Sequence, residues 1–328
     1  MNNYTSKETK KQVSKDVLGK CTDKRLKNPK FSDYIKPFLT DRMNLLVKDC
    51  GTFLELLGDF EMENKKLHSA NFCKNRFCPM CSWRLACKDS LEITILIEHL
   101  SKEENKEFIL LTLTAPNVKG DKLNDEIKKF NKSFERLIKR KEVSKVIKGY
   151  IRKLEVTYNS DTSSKSYDTY HPHFHIVIAV NKSYFTQSKQ YINRDRWLEL
   201  WRESTGDSSI TQVDVRKVNA NDLKAIYEMA KYSAKDSDYL ISRPVFEVFY
   251  KALKGKQVLT FNGLFKDAHK LYKLGKLDIY KEKSDIVYVY KMYYNWHKNE
   301  YLNSNIIELT EEEKEKINKK LIDEIEID

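Results

Sequence analysis

Apolar residues run through the middle of the chain in two rhythms. Phe108-Ile-Leu-Leu-Thr-Leu-Thr114 is rich in β-formers and stops short of Pro116, which predicts a strand. Ile127, Phe130, Phe134, Leu137 and Ile138 then recur at helical spacing. Tyr150 to Tyr158 reads as a second strand, Asn159 to Thr169 as a Ser/Asp/Thr-rich loop, and His171 to Val180 as a third strand. Trp197, Leu200 and Trp201 mark an amphipathic helix within Arg196 to Glu203. Gln212 to Val218 alternates as a strand, and Asp222 suits the N-cap of a further helix. The order β-α-β-β-α-β, with a helix after it, predicts an α+β domain of the split βαβ, ferredoxin-like kind: one antiparallel sheet backed by helices.

The flanks are less regular. Residues 1–40 are polar and Lys-rich without a sustained apolar period, which predicts a flexible basic arm. Residues 41–105 hold a cysteine-rich stretch between Cys50 and Cys87 and a helix over Ser82 to Leu100. The β-rich domain then occupies 106–240. The region 241–328 is expected to be mainly helical, with Val245 to Leu253 and Phe265 to Leu274 as helices and Gly275 ending the second. It serves DNA binding or oligomerisation in this reading. Ile286 to Trp296 fits a strand or a helix equally, and Thr310 with Glu313 forms a capping box for a last helix.

Charge narrows the class of partner. The 328 residues carry a net charge of +12, with an isoelectric point near 9.1. The acidic tail hides part of this, because residues 311–328 hold eight carboxylates against four Lys. A basic body of this kind points to a polyanion such as DNA. No stretch is long and apolar enough for a membrane span, and MNNYTSKETKK lacks the apolar segment of a signal peptide, so a cytoplasmic protein is expected. Six Cys then read as thiols or metal ligands and not as a disulfide framework.

Candidate chemistry concentrates at three places. His171-Pro-His-Phe-His175 opens the third strand, and alternation of side chains along a strand puts His171, His173 and His175 on one face. The chain has seven His, so three within five positions argue for a metal site over a chance-decorated strand end. Glu155 lies on the neighbouring strand of the predicted hairpin. A carboxylate beside the imidazoles would suit Mg²⁺ or Mn²⁺, and the pairing register decides whether it arrives there. His171 is either a further ligand or a phosphate contact. The second place is Tyr227 to Asp236. Glu228 and Tyr232 are four apart and share a helix face, as nucleophile and base would, although such pairs are common on solvated helix surfaces. The third is Cys73-x₄-Cys78-x₂-Cys81, a zinc-knuckle spacing with Cys50, His68 or Cys87 as the fourth ligand. Lys74, Arg76 and Arg84 around it, and Lys231 and Lys235 near the tyrosine, suit DNA phosphates.

These motifs together resemble the rolling-circle plasmid replication initiators of Gram-positive bacteria, within the HUH endonucleases. The resemblance rests on Leu111-Thr-Leu-Thr-Ala-Pro116, His171-Pro-His-Phe-His175, Glu228-Met-Ala-Lys-Tyr232, Phe72-Cys-Lys-Asn-Arg-Phe-Cys-Pro-Met-Cys81 and Lys251-Ala-Leu-Lys-Gly255, in that family's order. It covers roughly Cys50 to Leu277. It implies an HUH fold that nicks one strand at a plasmid origin, with Tyr232 as nucleophile and a divalent cation on His173 and His175. Glu228 would activate water for the closing cleavage, and Tyr227 would only pack. Origin DNA, duplex and single-stranded, is then the partner, together with a host helicase and a possible second copy of the chain. A relaxase or transposase of the HUH type, or a non-catalytic zinc-containing DNA-binding regulator, is the alternative.

Overall fold

The computed structural model describes residues 16–187, 190–218, 229–230 and 234–325. Three helices come first: α1 (Val17–Leu26), α2 (Asn28–Ile35) and α3 (Asp41–Asp49). Strands β1 (Phe53–Gly58) and β2 (Lys65–Ala70) form a hairpin, and the long helix α4 (Pro79–Lys102) follows. The central run is β3 (Lys106–Thr114), α5 (Leu123–Lys139), α6 (Lys141–Val146), β4 (Gly149–Asn159) and β5 (Thr169–Asn181). It continues through α7 (Ser183–Thr186), α8 (Arg194–Thr205) and β6 (Val213–Val218). The last part holds α9 (Asp236–Tyr239), α10 (Arg243–Leu253), β7 (Leu259–Gly263), α11 (Leu264–Lys273), β8 (Tyr290–His297), β9 (Glu300–Glu308) and α12 (Glu311–Asn318).

The larger sheet has the order β6-β3-β5-β4-β7, antiparallel at every pairing. Strands β3 and β4 therefore run the same way, joined through α5 and separated by the inserted β5. Strands β5 and β6 repeat the arrangement through α8, separated by β3. This is the split βαβ order expected from the sequence, with β7 added at one edge. Alternation along β5 sorts the two faces. Phe174, Ile176, Ile178 and Val180 point to the α5 and α8 side, where Phe130 stacks on Phe174 at 4.3 Å and Trp201 meets Phe130 edge-on at 5.2 Å. Val177 and Ala179 point the other way, into a second core with Leu91, Leu96, Phe108 and Phe265 under α4 and α11.

Among the described residues, α4 and α11 cover the apolar half of that second face. Beyond Val177 the same face of β5 carries His175, His173 and His171, each partly exposed. The apolar half anchors the sheet, and the polar half is left to chemistry.

Two sequence expectations need correction. Residues 17–35, expected to be flexible, form α1 and α2, with Val17, Cys21, Phe31 and Ile35 buried. Few apolar positions suffice because they meet partners distant in sequence: Phe31 meets Phe246 of α10 edge-on at 6.0 Å, and Lys24 and Lys27 reach Asp236. The cysteine-rich region also does not close on itself. Its hairpin is completed by β8 and β9 in a four-stranded sheet of order β2-β1-β8-β9, so the ambiguous segment ending at Trp296 contributes a strand. The predicted N-cap at Asp222 lies outside the described residues, whereas the capping box of Thr310 and Glu313 is formed.

Candidate functional site

Cross-strand register builds the first site. Glu155 of β4 lies directly opposite His173 of β5, and Thr112 of β3 lies opposite His175. Residues directly opposite in an antiparallel pair share a face. Glu155 Oε2 consequently stands 3.2 Å from His173 Nε2 and 3.1 Å from His175 Nε2. The other ring nitrogens are also occupied: His175 Nδ1 is 3.2 Å from Thr112 Oγ1, and His173 Nδ1 is 3.3 Å from the His171 carbonyl oxygen. A carbonyl only accepts, so His173 Nδ1 is the donor in that contact. Anchoring of this kind holds metal-ligating imidazoles in one tautomer and orientation.

Glu155 is 5% exposed. Burial by itself would raise its carboxyl, but hydrogen bonds from His173 and His175 outweigh that and hold it well below the usual carboxylate range. One carboxylate oxygen and two imidazole nitrogens thus converge as a three-donor group able to hold a metal ion. Three protein donors leave coordination positions open for water or phosphate, as a catalytic site requires. His171 does not join them; its ring stacks on that of His173 at 5.5 Å. Burial, then the neighbouring His173, lowers its pKa.

Below this group on the same face lies Lys153, buried beside a cavity of 230 Å³. Burial lowers its pKa, against the pull of Asp89 and Glu155, and burial raises Asp89 to about 6. Ala230 and Ala234 line the same cavity, and Met229 and Ala230 pack in the core under Val177 and Ala179. Met229 and Ala230 therefore pack on the sheet face that carries the histidines. Tyr227, Glu228, Lys231 and Tyr232 lie outside the described residues. Lys235 is exposed at the N-cap of α9.

The cysteines form a second group. Cys50 at the end of α3, Cys73 and Cys78 in the loop before α4, and Cys81 in its first turn bring their sulfurs together. The Sγ to Sγ distances are 3.6 Å for Cys50 and Cys81, 3.7 Å for Cys73 and Cys81, and 3.5 Å for Cys78 and Cys50. A tetrahedron of Zn–S bonds near ~2.3 Å has edges of about 3.8 Å, so the donor set fits a structural zinc. Hydrogen bonds from Cys50 and the other thiols hold the Cys81 thiol low. Of the competing fourth ligands, His68 is exposed on β2, and the Cys87 carbonyl accepts from the Ile325 amide in the docked tail.

The two arginines differ. Arg76 is exposed and donates to the Lys256 carbonyl at 2.6 Å. Arg84 is partly buried and ion-paired with Glu324, so its charge is engaged within the protein. Sequence reasoning missed Thr112 as a partner of His175. Its signal was present in Leu111-Thr-Leu-Thr114, where a hydroxyl interrupts an otherwise apolar strand on the histidine face.

A model of the replication protein family matches residues 64–304. A replication protein ("Protein rep") of Staphylococcus aureus is 54% identical over 226 residues, covering 69% of this chain and 96% of its own. Proteins of the same name from Bacillus sp and Streptococcus pneumoniae are 33% and 36% identical, covering 78% and 74% of this chain and 87% and 74% of their own. No solved structure matches the chain. No helix among the described residues is long and apolar enough to cross a membrane. The chain belongs to the replication protein family and is a plasmid replication initiator of the kind found in Gram-positive bacteria.

Proposed function

We propose that this initiator opens rolling-circle replication in the cytoplasm by nicking one strand of its plasmid origin, with Tyr232 as nucleophile. The carrying observation is the convergence of Glu155, His173 and His175, with both imidazoles anchored through Nδ1, on the sheet face against which Met229 and Ala230 pack. Tyr232 follows Ala230 by two residues. Tyr232 Oη attacks the phosphorus and gives up its proton, the bond to the 3′-oxygen breaks, and that oxygen takes up a proton in exchange and leaves as the hydroxyl that primes synthesis. A tyrosine titrates near ~10, so the reaction needs charge stabilisation at neutral pH. A divalent cation such as Mg²⁺ or Mn²⁺, when bound at this group, supplies Lewis-acid polarisation of the phosphate oxygens. Glu155, His173 and His175 would hold it, and Thr112 keeps His175 turned toward it.

Glu228 serves the closing step by accepting a proton from the water that cuts the regenerated origin. Lys231, Lys235 and Arg76 contact DNA phosphates in this scheme. Cys50, Cys73, Cys78 and Cys81 would hold a zinc ion, which would brace the loop before α4. A host helicase and a homodimer belong to the same proposal, and light scattering checks the latter.

The test is mass spectrometry of wild-type protein incubated with an origin oligonucleotide and Mn²⁺. A 5′-phosphotyrosine adduct at Tyr232, absent from Tyr232→Phe, is expected. An adduct at Tyr227 or Tyr239, or gel shift of the DNA without cleavage, overturns the assignment; the latter outcome fits a DNA-binding regulator.

A further inference from the structure

A groove of 840 Å³ runs from the cysteine cluster, between α3, the first half of α4 and the end of α10. Among the described residues, every charged side chain lining it is a cation: Lys74, Arg76, Arg84, Lys88 and Lys254. Glu324 occupies Arg84, whereas Lys74 and Lys88 are exposed, and no carboxylate among the described residues pairs with either. Between the cations the wall is apolar. Leu46 and Leu85 are 47% and 51% exposed, and Phe72 presents part of its ring. The loop carrying Lys74 and Arg76 is held at both ends by Cys73 and Cys78, Phe72 directly precedes it, and Lys74 takes a positive φ of 59°.

The groove does not stop at the cysteines. Arg76, Phe77 and Leu85 also form one wall of the 230 Å³ cavity, whose other walls include Lys153, Ala230 and Ala234. The groove and the cavity thus adjoin each other at Arg76, Phe77 and Leu85.

We infer that this groove is the seat of an unpaired DNA strand, held through its phosphates by Lys74, Arg76, Lys88 and Lys254 and through its bases by Phe72, Leu46 and Leu85. The chemistry selects the occupant. Free cations without carboxylates call for a polyanion. Exposed apolar side chains between them call for one whose bases are uncovered, because a duplex turns its base faces inward and offers them only phosphate and sugar. This inference rests on the nickase reading for the direction in which the strand runs, and its test is separate from cleavage.

Binding of a short single-stranded oligonucleotide and of a blunt duplex is measured by fluorescence anisotropy over a range of salt, without divalent cation. Lys74→Gln with Lys88→Gln is expected to reduce the salt slope for the single strand by about 1.4, since each single-strand phosphate contact contributes ~0.7. Phe72→Leu is expected to weaken single-strand binding roughly tenfold, from lost stacking. Duplex affinity changes little in both. Independently of any variant, photocrosslinking of an iodouracil oligonucleotide to the wild-type protein is expected to label the peptide with Phe72. Equal losses for duplex and single strand overturn the inference, as do crosslinks confined to other peptides. Wild-type nicking with an unchanged salt slope in the variants would sink the groove and leave the nickase reading standing. Labelling at Phe72 without nicking would do the reverse.

Discussion

Phe174 and His175 are adjacent, yet the alternation of β5 gives them opposite tasks, and Phe174→Ala separates the two. Phe174 is fully buried. Its ring stacks on Phe130 at 4.3 Å, meets Phe134 edge-on at 5.6 Å and lies 4.4 Å from the Arg152 guanidinium. Truncation of such a phenylalanine costs about 4 kcal/mol, from lost transfer energy and the cavity left behind. The aromatic and cation–π terms fall inside that figure and are not added to it. Against a total of roughly 5–15 kcal/mol for a folded protein, the variant survives at low temperature with a much lower denaturation midpoint. The face that carries Glu155, His173 and His175 keeps its donors. Mn²⁺ at a hundredfold excess over its dissociation constant should then still add about 2.7 kcal/mol to the stability of Phe174→Ala, as it does to wild type. In His175→Ala that increment disappears, because a donor is lost and Glu155 keeps only one imidazole. The assay is urea denaturation followed by circular dichroism, with and without Mn²⁺. A cost below about 1 kcal/mol for Phe174→Ala, or loss of the Mn²⁺ increment in that variant alone, would refute the division of labour between the two faces.

Protein purified without chelator is expected to contain one zinc per chain by elemental analysis, and Cys78→Ser to lose it and melt earlier; a metal-free wild type of equal stability excludes the structural zinc. Glu228→Ala is expected to form the Tyr232 adduct at initiation yet accumulate multimeric displaced strands, whereas equal slowing of initiation and termination would make Glu228 a positioning residue only. Glu313, held down to about 2 by Lys291 and by the Thr310 amide of its capping box, contributes stability that is present above its unfolded value near ~4.3 and is lost as pH falls toward 2. Glu313→Gln should flatten acid unfolding within that window, and an unchanged acid limb in circular dichroism counts against the contribution.

What the sequence determined by itself was local and periodic. Strands β3 to β6, helices α5 and α8 and the shared face of His171, His173 and His175 follow from repeats of 2 and 3.6, which each segment carries regardless of its neighbours. The close spacing of Cys73, Cys78 and Cys81 belongs to the same class. Tertiary structure decided whatever depended on two segments meeting. The loop between β4 and β5 is long enough to allow several registers, and a slip by one residue would turn Glu155 to the opposite face. Only the folded hairpin sets it against His173 and His175. Cys50 joins the other cysteines because α3 ends beside their loop, not because of spacing. Helices α1 and α2 escaped notice because their few apolar residues are matched by Phe246 and other partners some two hundred positions away. Strands β8 and β9 likewise complete a sheet begun by β1 and β2. Arg84 reads as a phosphate contact from its neighbours in sequence, but the tail brings Glu324 against it. Contacts of this kind carry no local period, since the free energy that forms them comes from burial shared between distant segments.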